Sequence, residues 1–133
     1  MRLFLERPQL AFAVIGMLSL LTGLPMAGRR VPPNRWYGVR IRATFADAHV
    51  WYEANAQAGR ELALLGVVVL ALALGGDEWL TPVAHAALCG AVLSAGTVAV
   101  LARSVRLANR LWRERGGKGR GAGAVPGDTK EDW

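Results

Sequence analysis

The sequence predicts an all-α membrane protein in which three transmembrane helices carry a structured polar connector between the first and the second. Hydrophobic residues make up 53% of the 133 residues and charged residues 20%, and the two are segregated into blocks where a soluble domain would mix them. Three stretches are free of charge over lengths comparable to a bilayer core. The formal charge of +6 is spread unevenly about those stretches and therefore calls for an orientation or a partner. A chain this short suits one unit. Residues 1–115 are expected to form the three-helix domain and 116–133 a disordered cytoplasmic tail.

The first stretch, "QLAFAVIGMLSLLTGLPMA" over 9–27, has 19 residues and reaches about 28 Å as a helix at about 1.5 Å per residue. A cleaved signal peptide is the competing assignment. Pro25, three before Ala27, fits a small-x-small cleavage pattern poorly, and Arg29 and Arg30 follow where a translocated segment would begin. The second stretch, "LALLGVVVLALALGG" over 62–76, is short by itself. Snorkelling by Arg60 and interfacial anchoring by Trp79 extend the expected span to about 62–79. The third, 82–102, is 21 residues long and suffices alone. "DEWLT" joins the last two so tightly that they must be antiparallel neighbours.

Lipid tails are as apolar as leucine, so helices in a bilayer associate where small residues admit close backbone approach. Gly16 and Gly23 on the first span, Gly59 and Gly66 leading into the second, and Ala86, Gly90 and Ser94 on the third are the expected interior, although small residues are also simply common in membrane helices. Cys89 is the only cysteine, so no intrachain disulfide exists, and in its apolar run it reads as a small packing residue.

Counting Lys and Arg gives two before the first span, six in the first connector, none in the second and eight after the third. With three spans, fourteen therefore share one side against two on the other. The positive-inside rule places the N-terminus outside and the connector and C-terminus in the cytoplasm. Past the third span, Arg103, Arg106, Arg110 and Arg113 fall on one helix face with Val105, Ala108 and Trp112 on the other. That pattern suits either the anionic inner leaflet or a plain topology-setting cluster. "GGKGRGAGAVPGDTKEDW" then loses all periodicity and reads as disordered.

The connector holds the chemical variety. "VPPN" keeps the chain extended, because proline fixes its own φ and disfavours helix in the residue before it. Gly38 permits a turn that aims Arg40. Thr44 and Asp47 resemble a capping box that starts a helix near Phe45, running straight on through the second span. Along it Ala48, Trp51, Asn55 and Gly59 share one face that leads to Leu62 and Gly66. A folded-back connector would bring Arg40 near Asn55 or the capped helix start, where its guanidinium can bond backbone carbonyls or an anion, with the aromatic rings at headgroup level. The candidate binding residues are Asn34, Tyr37, Gly38, Arg40, Thr44, Trp51 and Asn55.

The order Asn34-x-x-Tyr37-Gly38-Val39-Arg40-x-x-x-Thr44, then Trp51-x-x-x-Asn55-x-x-x-Gly59, resembles the signature of the SdpI family of bacterial multi-pass membrane proteins over about Pro33 to Gly66. Ile41-Arg42 stands where that family has Thr-Pro, which adds a positive charge and removes a rigid turn. The resemblance implies an immunity role against a secreted peptide toxin and, for one relative, signalling by holding a transcription repressor at the membrane. The resemblance thus implies a peptide toxin or a regulatory protein as partner, while the residues themselves suggest membrane lipids and, through the small-residue faces, a second copy of the chain. No nucleic acid and no cofactor is expected.

Catalysis is not expected either. His49, read as a surface residue, and His85, read as interfacial, lie in different segments with no second ligand at metal spacing, so no metal site is predicted. Glu53 and Glu61 share a face but lie about 12 Å apart along the axis, too far for a concerted pair. No charge lies inside a span to mark an ion path. Two other readings stay open: a small membrane-embedded enzyme of lipid or peptide metabolism, and a structural subunit in which Arg40, Trp51 and Asn55 merely lock the connector to the bundle.

Overall fold

A computed structural model describes residues 7–75 and 80–116 and contains, among these, α1 (Pro8–Ala27), α2 (Arg42–Ala46), α3 (Ala48–Gly75) and α4 (Pro82–Glu114), with no strand. Pro8 and Pro82 each stand in the first turn of a helix, where a missing N–H costs nothing. Thr81 caps α4 by accepting the N–H of Ala84 at 3.3 Å. α1, α3 and α4 are each long and apolar enough to cross a membrane. Leu18, Leu21, Leu24, Leu64, Leu74, Val98 and Leu101 are exposed along them. In water such a surface would be costly at about 25 cal/mol per Å², whereas against lipid it is the ordinary exterior of a span. The chain is thus a multi-pass, all-α membrane protein. Trp79, most of the "DEWLT" connection and the tail 117–133 lie outside the described residues.

α3 is the central helix, and its packing on α1 depends on two reciprocal glycine pairs. A Cβ on Gly16 would lie 2.8 Å from the Gly66 carbonyl oxygen, and one on Gly66 would lie 2.6 Å from that of Gly16. Gly23 and Gly59 repeat the arrangement at 2.6 Å in each direction. The backbones approach here more closely than any side chain would allow. On α4 the stripe Ala86, Gly90, Ser94 does not hold the interior: Ser94 is exposed, and a Cβ on Gly90 would find its nearest neighbour, Phe12, at 3.7 Å. Each four-residue step turns about 40° round a helix, so that stripe rotates away from the partner. His85, Cys89, Ser104 and Ala108 are buried in its place, and Gly96 receives the Leu65 side chain. His85, expected at the interface, is buried with Nε2 2.7 Å from the Leu72 carbonyl.

The helix through the second span starts at Ala48, not Phe45, and is not continuous with the turn before it. Asp47 is extended (φ −150°, ψ 120°) and separates α2 from α3. Its carboxylate accepts the His49 N–H at 2.8 Å and pairs with Arg115 at 2.7 Å, so it caps α3. Thr44, read as that cap, serves α2: its hydroxyl accepts the Ile41 N–H at 3.0 Å and lies 2.9 Å from the Val39 carbonyl. α1 ends in a Schellman turn, with Arg30 N–H on Pro25 O (3.1 Å) and Arg29 N–H on Met26 O (3.0 Å). Arg29 takes φ 55° there, a conformation usually left to glycine, and its guanidinium reaches Glu53 on α3 at 2.5 Å.

With 28 and 33 residues, α3 and α4 run about 42 and 50 Å and must project beyond a hydrocarbon core of about 30 Å. They do so on the connector side. There Ala43, Val50, Ala54 and Ala108 pack with Ile41, Leu111 and Trp112, and Met26, Val39 and Ala58 with Val31, Tyr37, Val100 and Val105. The apolar face expected to lie on the leaflet is therefore spent on protein.

Candidate functional site

The connector is held to α3 by polar side chains that bond the connector's backbone. Trp51, fully buried, donates its indole N–H to the Val31 carbonyl at 3.0 Å and fixes the start of "VPPN". Phe45 lies against it with ring centroids 5.5 Å apart. Asn55, 2% exposed, accepts the Val39 N–H on Oδ1 at 2.6 Å and donates Nδ2 to the Trp51 carbonyl at 2.9 Å. A buried amide with both ends bonded satisfies a backbone donor that the loop could not satisfy itself. Gly38 makes this contact available: its φ is 108°, and a Cβ would collide with Asn55 Oδ1. Thr44, 1% exposed, holds the far end of the segment through Val39 and Ile41.

Asn34 shapes the tip. Its Oδ1 accepts the N–H groups of Trp36 (2.9 Å) and Tyr37 (2.7 Å), and its Nδ2 donates to the Pro32 carbonyl (2.8 Å). The turn sends the two aromatics in opposite directions. The Tyr37 phenol goes inward beside Thr22 of α1, where burial pushes its pKa above the usual value and Thr22 opposes the shift. Trp36 goes outward and is 91% exposed. Arg35 and Arg40 are exposed beside it, and the Arg40 guanidinium donates to the Arg35 carbonyl. This corrects the expectation that Arg40 would meet Asn55 or the helix start; the Asn55 amide is already occupied by Val39 and Trp51.

The seven sequence-predicted residues thus divide. Asn34, Gly38, Thr44, Trp51 and Asn55 form the fastening, Tyr37 plugs the gap to α1, and Arg40 alone faces outward. Arg35 and Trp36, which complete the outward face, were not singled out from the sequence, though their place in an Arg-Trp pair between Asn34 and Gly38 was the available signal. Asp47 was read as part of the wrong cap. Burial opposes its ionisation, but Arg115 and the amides of His49 and Val50 outweigh it and hold its pKa below the ordinary carboxylate value.

Glu53 and Glu61, set aside from the sequence as too far apart for a catalytic pair, are each engaged in an ion pair: Glu53 with Arg29 at 2.5 Å and Glu61 with Arg103 at 3.3 Å. Glu61 also accepts from Gln57 at 3.1 Å. Among the described residues no group of three or more His, Cys, Asp or Glu is placed to hold a metal. What the arrangement offers chemically is a turn, fastened to α3 by hydrogen bonds, that presents one indole and two guanidinium groups at the connector end of the bundle.

A family model described as the SdpI/YfhL protein family matches residues 30–102, which take in the connector, α2, α3 and the apolar part of α4. No curated protein and no solved structure matches the chain.

Proposed function

The chain belongs to the SdpI/YfhL protein family, and from that premise we propose that it is a non-enzymatic binding protein of the immunity type in the bacterial cell membrane. The connector and C-terminus face the cytoplasm in this reading, and the contact face is Arg35, Trp36 and Arg40. The observation that carries it is the division of labour within the motif. Trp51 and Asn55 are buried and spend their hydrogen bonds on Val31, Val39 and Trp51 backbone atoms, whereas Arg35, Trp36 and Arg40 lie exposed. An indole with flanking guanidinium groups suits a peptide at the headgroup level, through stacking and charge-assisted hydrogen bonds to carboxylate or carbonyl oxygen. A lock and a site are then two layers of one motif.

The test is survival of cells expressing the protein when challenged with secreted bacterial peptide toxins, scored beside membrane abundance. Trp36→Ala with Arg40→Ala should retain abundance and lose protection. Asn55→Ala should lose both. If the outward pair can be removed with protection intact while abundance is unchanged, the connector is scaffold only and the reading fails.

A further inference from the structure

The register of the helices fixes where the hydrocarbon ends on the connector side. A Cβ on Gly59 would lie 2.4 Å from the Ala27 amide nitrogen and 2.6 Å from the Gly23 carbonyl oxygen, so Gly59 is level with the last turn of α1. Arg29 is the first charge after α1, Arg60 stands beside Gly59 on α3, and Arg103, the first charge on α4, reaches Glu61 at 3.3 Å. On all three long helices the charge-free run therefore stops at one level. Charged side chains avoid the bilayer core, so that level is its boundary.

The connector tip comes back down to this boundary. Tyr37 lies beside Thr22, five residues and about 7.5 Å inside the end of α1. Its neighbour Gly38 lies against Asn55, one turn and about 6 Å beyond Gly59. The backbone of Trp36 and Tyr37 is held between these two fixed points and falls within the headgroup layer, which is about 5–8 Å deep on each side. Thr22 is itself exposed on α1, so the tip overhangs the rim of the bundle. Trp36, turned away from Tyr37 and 91% exposed, faces the surrounding lipid.

We propose that Arg35 and Arg40 hold the phosphate of an anionic lipid in the connector-side leaflet, with the Trp36 indole set among the neighbouring headgroups. The Arg40 guanidinium donates to the Arg35 carbonyl, which keeps the two exposed cations beside each other. A guanidinium fork matches phosphate oxygens in charge and geometry, and an indole is favoured at the interface, where its apolar body and its N–H are both satisfied. Height and rim position identify the occupant, because lipid headgroups are what surrounds a membrane protein at that level. A phosphate can sit on this face whether or not a peptide toxin binds there, so the inference does not depend on the toxin-binding reading.

The probe is brominated lipid, which quenches a tryptophan it touches. The full chain is reconstituted in phosphatidylcholine vesicles containing brominated phosphatidylglycerol or brominated phosphatidylcholine at equal mole fraction, and the Trp36 signal is the difference between a protein and its Trp36→Phe counterpart. Phosphatidylglycerol should win the place beside Trp36 by about fivefold or more. In Arg35→Gln with Arg40→Gln that preference should fall to about one, while brominated phosphatidylcholine still quenches Trp36 and so shows that the fold and the depth of the tip persist. The charge-matched pair Arg106→Gln with Arg113→Gln should leave the preference within about twofold. Absence of quenching by either lipid would put the tip in water, equal quenching by both would leave the arginines without a phosphate, and equal loss in the two arginine pairs would reduce the effect to a general positive field; each overturns the proposal. Displacement of the lipid by soluble glycerol phosphate would make the ligand a free phosphate and overturn it too. No peptide enters the measurement, so lipid preference without protection of cells sinks the toxin-binding reading alone, and protection without lipid preference sinks this proposal alone.

Discussion

Asn55 shows how one buried side chain can decide the shape of the loop over 28–41. Replacing it by alanine leaves the Val39 N–H buried without an acceptor, a loss of about 1–3 kcal/mol. The expected outcome is a lower melting temperature in detergent and easier proteolysis of the connector. Gly38→Ala should do the same by a different route, since both the positive φ and the contact with Asn55 exclude a Cβ. Asp47 gives a pH signature. Its folded pKa is depressed below the ordinary value of about 3.9, so its stabilising contribution is complete above that pH and is lost as the pH falls through the folded value. The thermal advantage of the wild type over Asp47→Asn should hold constant from pH 7 to about 5 and shrink only below about 4; shrinkage already at pH 6 would show that another group carries the effect. At this scale the sequence revealed which residues matter better than what they touch. Trp51 and Asn55 were legible from their spacing, but their partners are the backbone of Val31 and Val39, and a backbone atom leaves no mark in the identity of its residue.

The helices repeat that lesson at the scale of whole faces. The glycines at positions 16, 23, 59 and 66 were read as interior and are, but that they pair α1 with α3 emerges only from the structure, where their shared seven-residue spacing brings them together in two pairs. The stripe on α4 misled because small residues are frequent in spans for reasons other than packing. A substitution series separates the two cases. Gly59→Ala puts a Cβ within 2.6 Å of the Gly23 carbonyl oxygen and should cost about 1–3 kcal/mol by forcing the helices apart. Gly90→Ala meets only Phe12 at 3.7 Å, and Gly75→Ala meets nothing within 4 Å; both should be neutral or mildly stabilising, since alanine is the better helix former. Thermal unfolding in detergent reads all three, and equal losses would mean that the crossing is not glycine-dependent. The break at Asp47 was hidden for another reason. A capping residue near the end of one helix has the same local sequence whether it begins that helix or the next, and here the Asp47 carboxylate turns to the His49 N–H and to Arg115, 68 residues away.

At the scale of the molecule the architecture was readable because bilayer thickness and charge asymmetry act on long stretches, where local ambiguity averages out. Three long apolar helices, a connector packed on their projecting ends and inter-element ion pairs at Arg29–Glu53, Arg103–Glu61 and Arg115–Asp47 all place the charged chemistry at one end of the bundle. If fourteen of the sixteen Lys and Arg residues lie at that end, retention in the cytoplasm follows from the cost of translocating short cationic segments. Single-cysteine labelling resolves it, in a background where Cys89, fully buried, reacts little. Cysteine in place of Trp36, 91% exposed at the connector tip, should react with a membrane-impermeant maleimide only in inverted vesicles. Cysteine in place of Thr81, exposed just ahead of α4, should react in intact cells. The opposite pattern would turn the molecule over and place Arg35, Trp36 and Arg40 outside, removing the cytoplasmic toxin site while leaving the fold untouched.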